Sequence, residues 1–372
     1  MLVGLDATPL LGRRTGVGQY TAGLIEGLRG LPDPPQLRLV PFTWRGAGEL
    51  RPPAGMTASR RRVPARALQE AWARTELPPI EWLAGRMDLF HATNFVAPPA
   101  RRARVAVTIH DLTFATATEL VSAASARYRV LVPRSLRRAA VVCTPTAVVA
   151  AEVAGRYGVP ADRLVVTPLG IRDHFRTATP PDPAWLAERG LPARYALFVG
   201  TLEPRKNLPV LLAAWRELLG GAAPSTEPGG IPPLVLAGPS GWGPALDDSG
   251  LPDGAVVTPG YLDDEDLARV TAGAAVLAFP SRDEGFGLPP LEALACGVPV
   301  VASDLPVLHE VLDDQAALVN PDDVDGLAKA LAGALADPGD DAVRAARRAH
   351  AARFTWTACA EATMGAYERA LA

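Results

Sequence analysis

The residues between positions 283 and 300 predict a site for a ligand that carries phosphate. Glu284 and Glu292 are eight positions apart, and Pro289 and Pro290 between them suit the first turn of a helix, where a missing N–H group loses no partner. Gly287 permits a tight backbone approach just before that helix. A helix N-terminus attracts phosphate through its free N–H groups and its positive dipole charge. Eight residues of helix rise roughly 12 Å, so the two carboxylates are expected to contact different parts of one long ligand.

A lysine predicts a second part of this site. The chain contains two lysines, Lys206 and Lys329, against 35 arginines. Lys206 lies between an apolar run at 195–199 and a helical pattern that begins near residue 208. A lysine ammonium is a compact charge on a flexible stem, which suits a phosphate whose negative charge grows as a bond breaks. We therefore predict that Lys206 stabilises a departing phosphate.

The stretch around the two glutamates resembles a known family. The spacing of Glu284 and Glu292, the glycines and prolines between them and the segment 296–304 that follows are similar to the retaining glycosyltransferases of family 4, which have the two-domain GT-B architecture. The resemblance covers nearly the whole chain and is strongest over 195–320. It implies that Glu284 approaches the donor hexose, that Glu292 holds the ribose, and that the helix start at Phe286-Gly287-Leu288 stabilises the diphosphate.

The same resemblance assigns a basic pair and a donor. Lys206 falls on the family's lysine, whereas Thr201 stands where the family has an arginine, so Arg205 is expected to supply that charge. The segments 6–9, 15–18 and 200–207 look most like a bacterial branch that includes mannosyltransferases. The implied function is retaining transfer of a hexosyl group to a glycan, lipid-linked or small-molecule hydroxyl, with GDP-mannose as the first donor and dTDP-, UDP- or ADP-sugars as alternatives. We expect no cofactor, because the nucleotide-sugar is a substrate, and no metal, because Lys206, Arg205 and the helix start would stabilise the departing phosphate.

A histidine and a glycine pair predict contributions from the first half of the chain. His110 ends the apolar run 105–109, at the edge where parallel sheets bind ligands. The family has a histidine beside the donor sugar at this position, and Asp111 is expected to orient its ring. His91 ends another run and is either a functional or a structural residue. Gly16 and Gly18 would let a phosphate or sugar approach the backbone closely.

Other classes of protein fit the sequence less well. Thr21 occupies the last position of a Gly-x-Gly-x-x-Gly pattern, which argues against an NAD-dependent oxidoreductase. A phosphorylase of the same fold needs a pyridoxal-bearing lysine, and two lysines make that improbable. A non-catalytic sugar-nucleotide-binding protein is the remaining alternative, although the presence of Lys206, Glu284, Glu292 and His110 argues against a decayed site.

Short apolar runs alternate with helical patterns along the chain, which favours parallel sheets covered on both faces. The predicted strands are 2–6, 37–44, 89–92, 105–109, 141–143 and 164–167 in the first half, and 195–199, 234–237, 256–258, 275–279, 298–302 and 317–319 in the second. We predict an α/β fold with two doubly wound, Rossmann-like domains facing a cleft. The predicted divisions are an acceptor-binding domain at 1–173, a Thr- and Pro-rich linker at 174–193, a nucleotide-sugar-binding domain at 194–352, and a helix at 353–372 that returns to the first domain.

The charge is divided unevenly between the two halves. Residues 1–178 hold 24 arginines and 13 carboxylates, whereas the rest of the chain holds 13 basic and 27 acidic residues. Three arginine clusters carry much of the excess: Arg60-Arg61-Arg62, Arg101-Arg102-Arg104 and Arg134-Arg137-Arg138. No nucleic-acid motif accompanies them. They are either ordinary surface or a face for an anionic membrane or a lipid-linked acceptor.

The remaining features bound the cellular context. The first strand begins at once without a signal-peptide pattern, and no apolar run of 18 residues occurs. Cys143, Cys296 and Cys359 are widely spaced and read as small buried hydrophobes in a reducing compartment. We therefore expect a cytoplasmic protein, with contact at the inner face of the membrane as an option. Its expected partners are a nucleotide-sugar and a glycan or lipid-linked acceptor.

Overall fold

The computed structural model describes residues 1–12, 16–44, 50–59, 61, 63–122, 125–220, 222–227 and 229–372. These residues form two compact units: unit 1 comprises residues 1–170 and 355–372, and unit 2 comprises residues 171–354. Thr15, Arg60 and Arg62, which belong to motifs singled out above, lie outside the described residues. None of the described helices is both long and apolar enough to cross a membrane.

Seven parallel strands form the sheet in the described part of unit 1. They are β1 (Leu2–Asp6), β2 (Gln36–Val40), β3 (Thr57–Ala58), β4 (Leu89–Ala92), β5 (Arg104–Thr108), β6 (Val141–Thr144) and β7 (Leu164–Val166). Their order across the sheet is β3-β2-β1-β4-β5-β6-β7. Each apolar run that predicted a strand here forms one, although the second strand ends at Val40. The edge strand β3 was not predicted, because two residues carry no periodic signal.

Within the described residues of unit 1, six helices connect these strands: α1 (Gly16–Arg29), α2 (Ala65–Arg74), α3 (Ile80–Ala84), α4 (Thr113–Thr116), α5 (Tyr128–Arg138) and α6 (Ala147–Tyr157). Short 3-10 turns lie at Thr8–Leu10, Thr118–Leu120, Ser125–Arg127 and Ala161–Arg163. The two ends of α6 show how local residues determine where a helix begins and ends. The Thr146 side chain accepts a hydrogen bond from the Val149 N–H at its start, and Gly158 ends it with a φ of 65°.

Unit 2 repeats the same plan with six parallel strands among its described residues. They are β8 (Ala196–Val199), β9 (Leu234–Ala237), β10 (Val256–Gly260), β11 (Val276–Phe279), β12 (Val300–Ser303) and β13 (Ala317–Val319), in the order β10-β9-β8-β11-β12-β13. The helices are α7 (Asp173–Thr177), α8 (Pro183–Glu188), α9 (Leu208–Leu219), α10 (Asp264–Ala272), α11 (Leu288–Ala295), α12 (Pro306–Leu312), α13 (Val324–Ala336) and α14 (Asp341–Ala352). Short 3-10 turns lie at Pro204–Lys206 and Asp313–Gln315. The prediction of two parallel, doubly wound α/β units is confirmed.

The last helix, α15 (Trp356–Leu371), returns to unit 1, as predicted. It packs against α1 over two glycines. A Cβ at Gly23 would lie 2.1 Å from the Trp356 ring, and one at Gly27 would lie 2.2 Å from the Trp356 carbonyl oxygen. Any larger residue at these two positions would push the helices apart, so the glycines allow α15 to close over the sheet.

The segment 174–193, which we expected to be a linker, contains helical structure that belongs to unit 2. Phe175 of α7 and Leu186 of α8 are buried. The Thr- and Pro-rich run separates these two helices and starts the second, because the Asp182 side chain caps α8 and Pro183 occupies its first turn. The chain passes from unit 1 to unit 2 at residues 170–171 and back at 354–355.

Candidate active site

The strand order of unit 2 determines where its charged loops meet. The strands β8 and β11 are hydrogen-bonded neighbours at the point where the strand order reverses. In doubly wound sheets, ligands bind outside the carboxyl ends of the strands at this point. Arg205 and Lys206 follow β8, and Glu284 follows β11, so residues 78 positions apart in sequence lie at one edge.

Two cations and two carboxylates form a cluster at this edge. The Lys206 Nζ donates a hydrogen bond of 2.7 Å to Glu284 Oε1, and the Arg205 Nη1 lies 3.0 Å from Glu284 Oε2. The same Arg205 nitrogen donates to the Asp283 carbonyl oxygen at 2.8 Å, and the guanidinium also contacts the Glu203 carboxylate at 3.3 Å. The structure thus brings together three of the four charged site residues that we predicted in unit 2, and the fourth, Glu292, lies apart from them.

Burial makes this cluster electrostatically strong. Lys206 is 7% exposed and Glu284 is 9% exposed. Burial alone raises the pKa of Glu284, but the charges of Arg205 and Lys206 outweigh it and lower that pKa to about 2. Burial also lowers the pKa of Lys206, against the charge and hydrogen bond of Glu284. Glu284 is therefore ionised at any working pH, and the ammonium of Lys206 has a fixed anionic partner.

The loop that carries Lys206 is held by residues that sequence analysis did not identify. Asn207 has a φ of 57°, and its side-chain amide donates to the Pro321 carbonyl oxygen at 2.7 Å. Arg282 Nε donates to Asn207 Oδ1 at 3.1 Å, and the Arg282 backbone N–H donates to the Arg205 carbonyl oxygen at 2.9 Å. These contacts tie the loop after β8 to the loop after β11. The local sequence signal for a constrained turn was an asparagine just before a helical pattern, because asparagine adopts the left-handed backbone conformation more readily than most residues.

The predicted helix start is present at Gly287. The helix α11 begins at Leu288 with both prolines in its first turn, as predicted. Gly287 has a φ of 96°, and a Cβ there would lie 2.6 Å from the Leu308 side chain. Both the backbone conformation and the lack of space therefore exclude a larger residue. The Phe286 ring is buried and packs edge-on against Phe354, with 5.9 Å between the ring centroids. Pro289 and Pro290 have no N–H, and the Leu291 N–H donates to the Gly287 carbonyl oxygen, so the N–H group that the first turn of α11 can offer to an anion is that of Leu288.

Glu292 lies one turn inside α11 in a different environment from Glu284. It is 8% exposed, and Arg172 Nη2 lies 3.8 Å from its Oε1. Arg172 also forms an ion pair with Asp264. Burial raises the pKa of Glu292 to about 7, Arg172 opposes this shift, and Asp264 adds to it. Arg172 was missed from the sequence because it lies 120 residues from Glu292 and no local pattern marks the contact.

In unit 1, His110 follows β5 as predicted. Its Nε2 donates a hydrogen bond to the Thr93 carbonyl oxygen at 2.8 Å. The ring lies edge-on to Tyr20 and Phe95, with centroid distances of 4.8 and 5.5 Å. Burial lowers the pKa of His110. The expectation that Asp111 orients this ring is wrong: Thr93 holds it, and the Asp111 carboxylate accepts from the Thr113 N–H at 3.1 Å.

Aromatic rings surround His110 at this edge of unit 1, and sequence analysis missed them. Phe95 has a φ of 58°, a conformation that strains a bulky residue. Its ring contacts Tyr128 and Phe114 with centroid distances of 4.8 and 5.7 Å.

The Asp6 carboxylate is buried at the end of β1, and burial raises its pKa to about 6.

His91 is a structural residue. It is fully buried, and its two ring nitrogens share hydrogen bonds of 2.8 Å with the hydroxyls of Tyr367 and Thr108. The Tyr20 hydroxyl bonds the same Thr108 oxygen at 2.8 Å. Burial lowers the pKa of His91 to about 3, so the ring is neutral and links α15 to the sheet.

The predicted glycine pair lies inside a helix. The helix α1 starts at Gly16, so Gly16 and Gly18 belong to its first turn. Gly16 is exposed and a Cβ there would meet nothing within 4 Å, whereas Gly18 is buried. A role for this pair in donor binding stays a prediction.

Comparison with solved structures identifies the architecture. The chain superposes on the sucrose-phosphate synthase of Thermosynechococcus elongatus with a TM-score of 0.74, covering 98% of this chain and 97% of that one at 21% sequence identity. Two parallel α/β units with the observed strand order, together with this similarity, define the GT-B fold.

Family and relatives point in the same direction. Residues 15–170 match the glycosyl transferase 4-like domain, and residues 193–337 match the glycosyl transferases group 1 family. The chain is 34% identical to O-antigen chain mannosyltransferase B of Escherichia coli over 288 residues, which are 75% of this chain and 74% of that protein. It is 35% identical to the D-inositol 3-phosphate glycosyltransferase of Kineococcus radiotolerans over 245 residues, 59% of this chain and 55% of that protein. The chain belongs to the group 1, family 4-like glycosyltransferases, in its mannosyltransferase-like branch.

Proposed function

We propose that this glycosyltransferase moves a hexosyl group from a nucleotide-sugar to a hydroxyl group, with retention at the anomeric carbon. The observation that carries the proposal is the buried cluster of Lys206, Arg205 and Glu284 at the switch point of unit 2, beside the start of α11. This edge places two cations, each paired with a carboxylate, at a position where parallel sheets bind phosphate-bearing ligands.

Lys206 and Arg205 are proposed to stabilise the leaving group. When the bond to the sugar breaks, negative charge concentrates on the terminal phosphate of the nucleoside diphosphate. The Lys206 ammonium, the Arg205 guanidinium and the N–H groups at Phe286-Gly287-Leu288 supply preorganised positive charge for it, which makes protein-bound cations sufficient and a metal unnecessary. Because Glu284 already pairs with both cations, the phosphate shares them with this carboxylate.

Glu284 and Glu292 are proposed to hold opposite ends of the donor. Glu284 accepts hydrogen bonds from hexose hydroxyls, and its charge stabilises an oxocarbenium-like sugar as the leaving group departs. Its low pKa supports this role, because an ionised carboxylate is needed for both tasks. Glu292, one turn inside α11, accepts hydrogen bonds from the ribose.

Unit 1 is proposed to supply the acceptor side. His110 positions the transferred sugar for attack by the acceptor hydroxyl. The partly exposed Tyr128 ring, which packs on Phe95, offers an apolar face on which a sugar ring can pack, and the strained φ of Phe95 is typical of a functional site. The acceptor is a glycan or a lipid-linked glycan.

Mannose from GDP-mannose is the proposed donor. The similarity to an O-antigen mannosyltransferase supports this choice. A second relative is named for D-inositol 3-phosphate, which leaves acceptors other than glycans as outcomes of the test. If the nucleotide is not GDP, a dTDP-, UDP- or ADP-sugar replaces it and the transferase assignment stands.

An anionic membrane surface is a proposed partner of unit 1. Trp82 is 48% exposed, the Arg101 guanidinium lies 5.0 Å from its ring centroid, and Arg102 is exposed beside them. An exposed tryptophan next to arginines suits a membrane interface, where each basic residue contributes about 1 kcal/mol. Arg138, by contrast, is held by Glu76 and serves the fold. Phosphatidylglycerol vesicles should sediment the protein, phosphatidylcholine vesicles should not, and equal sedimentation would contradict the proposal.

The proposed function is tested by a thermal-shift panel without added metal. GDP, UDP, ADP and dTDP are compared with their sugar conjugates, because a ligand well above its Kd stabilises the folded state by mass action. We expect a selective response to GDP and GDP-mannose. The anomeric configuration of the product is then assigned by NMR. Inversion would end the retaining mechanism, and no response to any nucleotide in a folded sample would contradict the proposed function.

A further inference from the structure

Glu292 is the carboxylate proposed to bind ribose, and few of the described residues near it carry a charge. Among the described residues, Arg172 supplies its ion pair, with 3.8 Å between Nη2 and Oε1. Asp264 at the start of α10 competes for the same guanidinium. Directly after the last residue of α11, the buried Cys296 thiol has its pKa raised to about 12 by burial and stays neutral. Arg348 of α14 donates to the Cys296 carbonyl oxygen at 3.1 Å.

Arg172 is itself fixed in place. It follows Ile171, whose N–H donates to the Phe354 carbonyl oxygen at 3.0 Å, directly after the chain enters unit 2. Its guanidinium lies 5.5 Å from the Phe175 ring centroid, and the side chain is 13% exposed. A guanidinium that is held between a ring and two carboxylates has little freedom to leave Glu292.

We infer that Arg172 is a positioning residue for donor binding, which keeps Glu292 oriented and ionised for the two ribose hydroxyls. This inference rests on the proposed function, because it takes the ribose as the ligand of Glu292. An ionised carboxylate only accepts hydrogen bonds and can accept from both hydroxyls, whereas a protonated one must donate through one oxygen. The charged form also makes the stronger hydrogen bonds.

The inference predicts a pH dependence of nucleotide binding. Burial raises the pKa of Glu292 to about 7, so its charge changes near neutrality, and Arg172 is the group that opposes this shift. Nucleoside diphosphate binding should therefore tighten as the pH rises through about 7. Removing Arg172 raises the pKa of Glu292 further, because burial and Asp264 then act alone. The midpoint of the binding profile should move upward.

The test is calorimetric titration of GDP, and of 2′,3′-dideoxy-GDP, from pH 6 to pH 9. If the panel selects another base, the corresponding pair is used. The variants are Arg172→Gln, Arg172→Lys and Glu292→Gln. Arg189→Gln is the matched control, because Arg189 pairs with Asp266 on the same helix α10 and stacks on Trp185.

The wild type should prefer the ribose form over the dideoxy form by about tenfold, since hydrogen bonds to a charged group contribute about 1.5–3 kcal/mol. Arg172→Gln should abolish most of that preference at pH 7 and restore part of it at pH 9, and Arg172→Lys should retain more of it than Arg172→Gln. Glu292→Gln should lose both the preference and the pH profile, and Arg189→Gln should match the wild type.

Two failures are distinguishable. If the wild type binds no nucleotide, the proposed function and this inference are both overturned. If the wild type binds GDP but Arg172→Gln keeps its preference and midpoint, the proposed function stands and the role of Arg172 is wrong. If Arg172→Gln does not fold, the Glu292→Gln variant provides the test. A ribose preference that still depends on pH in this variant would exclude Glu292 as the source of the pH dependence, and would exclude Arg172 with it.

Discussion

The two units of this chain share one strand order but differ in what they place at the switch point. In unit 2, the loops after β8 and β11 bring Lys206, Arg205 and Glu284 into a buried charged cluster. In unit 1, β5 is followed by His110, whose ring is held by the Thr93 carbonyl oxygen and lies edge-on to Tyr20 and Phe95. The same scaffold thus places a cluster of paired charges at this edge of one unit and a histidine among aromatic rings at this edge of the other.

Under the proposed function, this difference corresponds to different roles for the two units. Charge is needed where a diphosphate departs, because preorganised cations stabilise growing negative charge. Rings and a neutral imidazole suit the positioning of an uncharged sugar hydroxyl. The chemistry therefore resides in the loops, while the sheet only sets which loops become neighbours. Substitutions in unit 2 should change charge stabilisation, and those in unit 1 should change fold or positioning.

The largest effect is expected for Lys206→Ala. Removing one such charge donor typically lowers turnover by 10²–10³-fold, and it also leaves Glu284 with Arg205 as its remaining cation. Steady-state turnover of the donor measures it. Lys329→Ala is the control, because Lys329 is the other lysine and is exposed. Near wild-type turnover in a folded Lys206→Ala variant would refute the leaving-group role.

Glu292→Gln should stabilise the protein at high pH. The pKa of Glu292 is raised from 4.5 to about 7. The stability that its protonated form contributes is therefore fully present below pH 4.5 and is lost as the pH rises through about 7. The loss is on the order of 3 kcal/mol at pH 8. The melting temperature of the variant should exceed that of the wild type by several degrees at pH 8 and match it at pH 4.5. Glu265→Gln, at an exposed position of α10, should show no such trend.

His91→Ala should destabilise unit 1 by about 2 kcal/mol, because the Tyr367 and Thr108 hydroxyls each lose a buried partner. Thermal or denaturant unfolding measures this loss. His309→Ala, which removes an exposed histidine, is the control. If unfolding of His91→Ala matches that of the control, the hydrogen-bonded link between α15 and the sheet contributes nothing to stability.

His110→Ala is expected to have the smallest effect, a fall in turnover of about tenfold from lost positioning. Nucleotide affinity should not change, since the residues proposed to bind the nucleotide lie in unit 2. Turnover and the nucleotide Kd are measured on the same preparation. A parallel loss of nucleotide affinity would show that His110 also contributes to nucleotide binding, which would contradict the assignment of nucleotide binding to unit 2.

The sequence predicts the sheet better than the contacts between loops. Buried parallel strands are continuous apolar runs, so twelve strands were predicted, whereas the short edge strand Thr57–Ala58 has no such pattern. Lys206 and Glu284 were assigned by spacing and resemblance, and the strand order explains why they meet. Arg172 and Phe95 were missed, because an ion pair across 120 residues and a left-handed φ leave no periodic trace. The segment 174–193 was misread because prolines start helices as well as linkers.

The most direct test of the charged cluster is a titration of the Lys206→Ala variant with two nucleotides. The nucleoside diphosphate that the panel selects, expected to be GDP, is compared with its monophosphate in wild type and variant. If Lys206 holds the terminal phosphate, the diphosphate should lose at least about tenfold in affinity, given 1.5–3 kcal/mol for a hydrogen bond to a charged group. The monophosphate should change less than about twofold by the same reasoning, because it lacks that phosphate. An equal loss for both nucleotides, or no loss for either, would contradict the account.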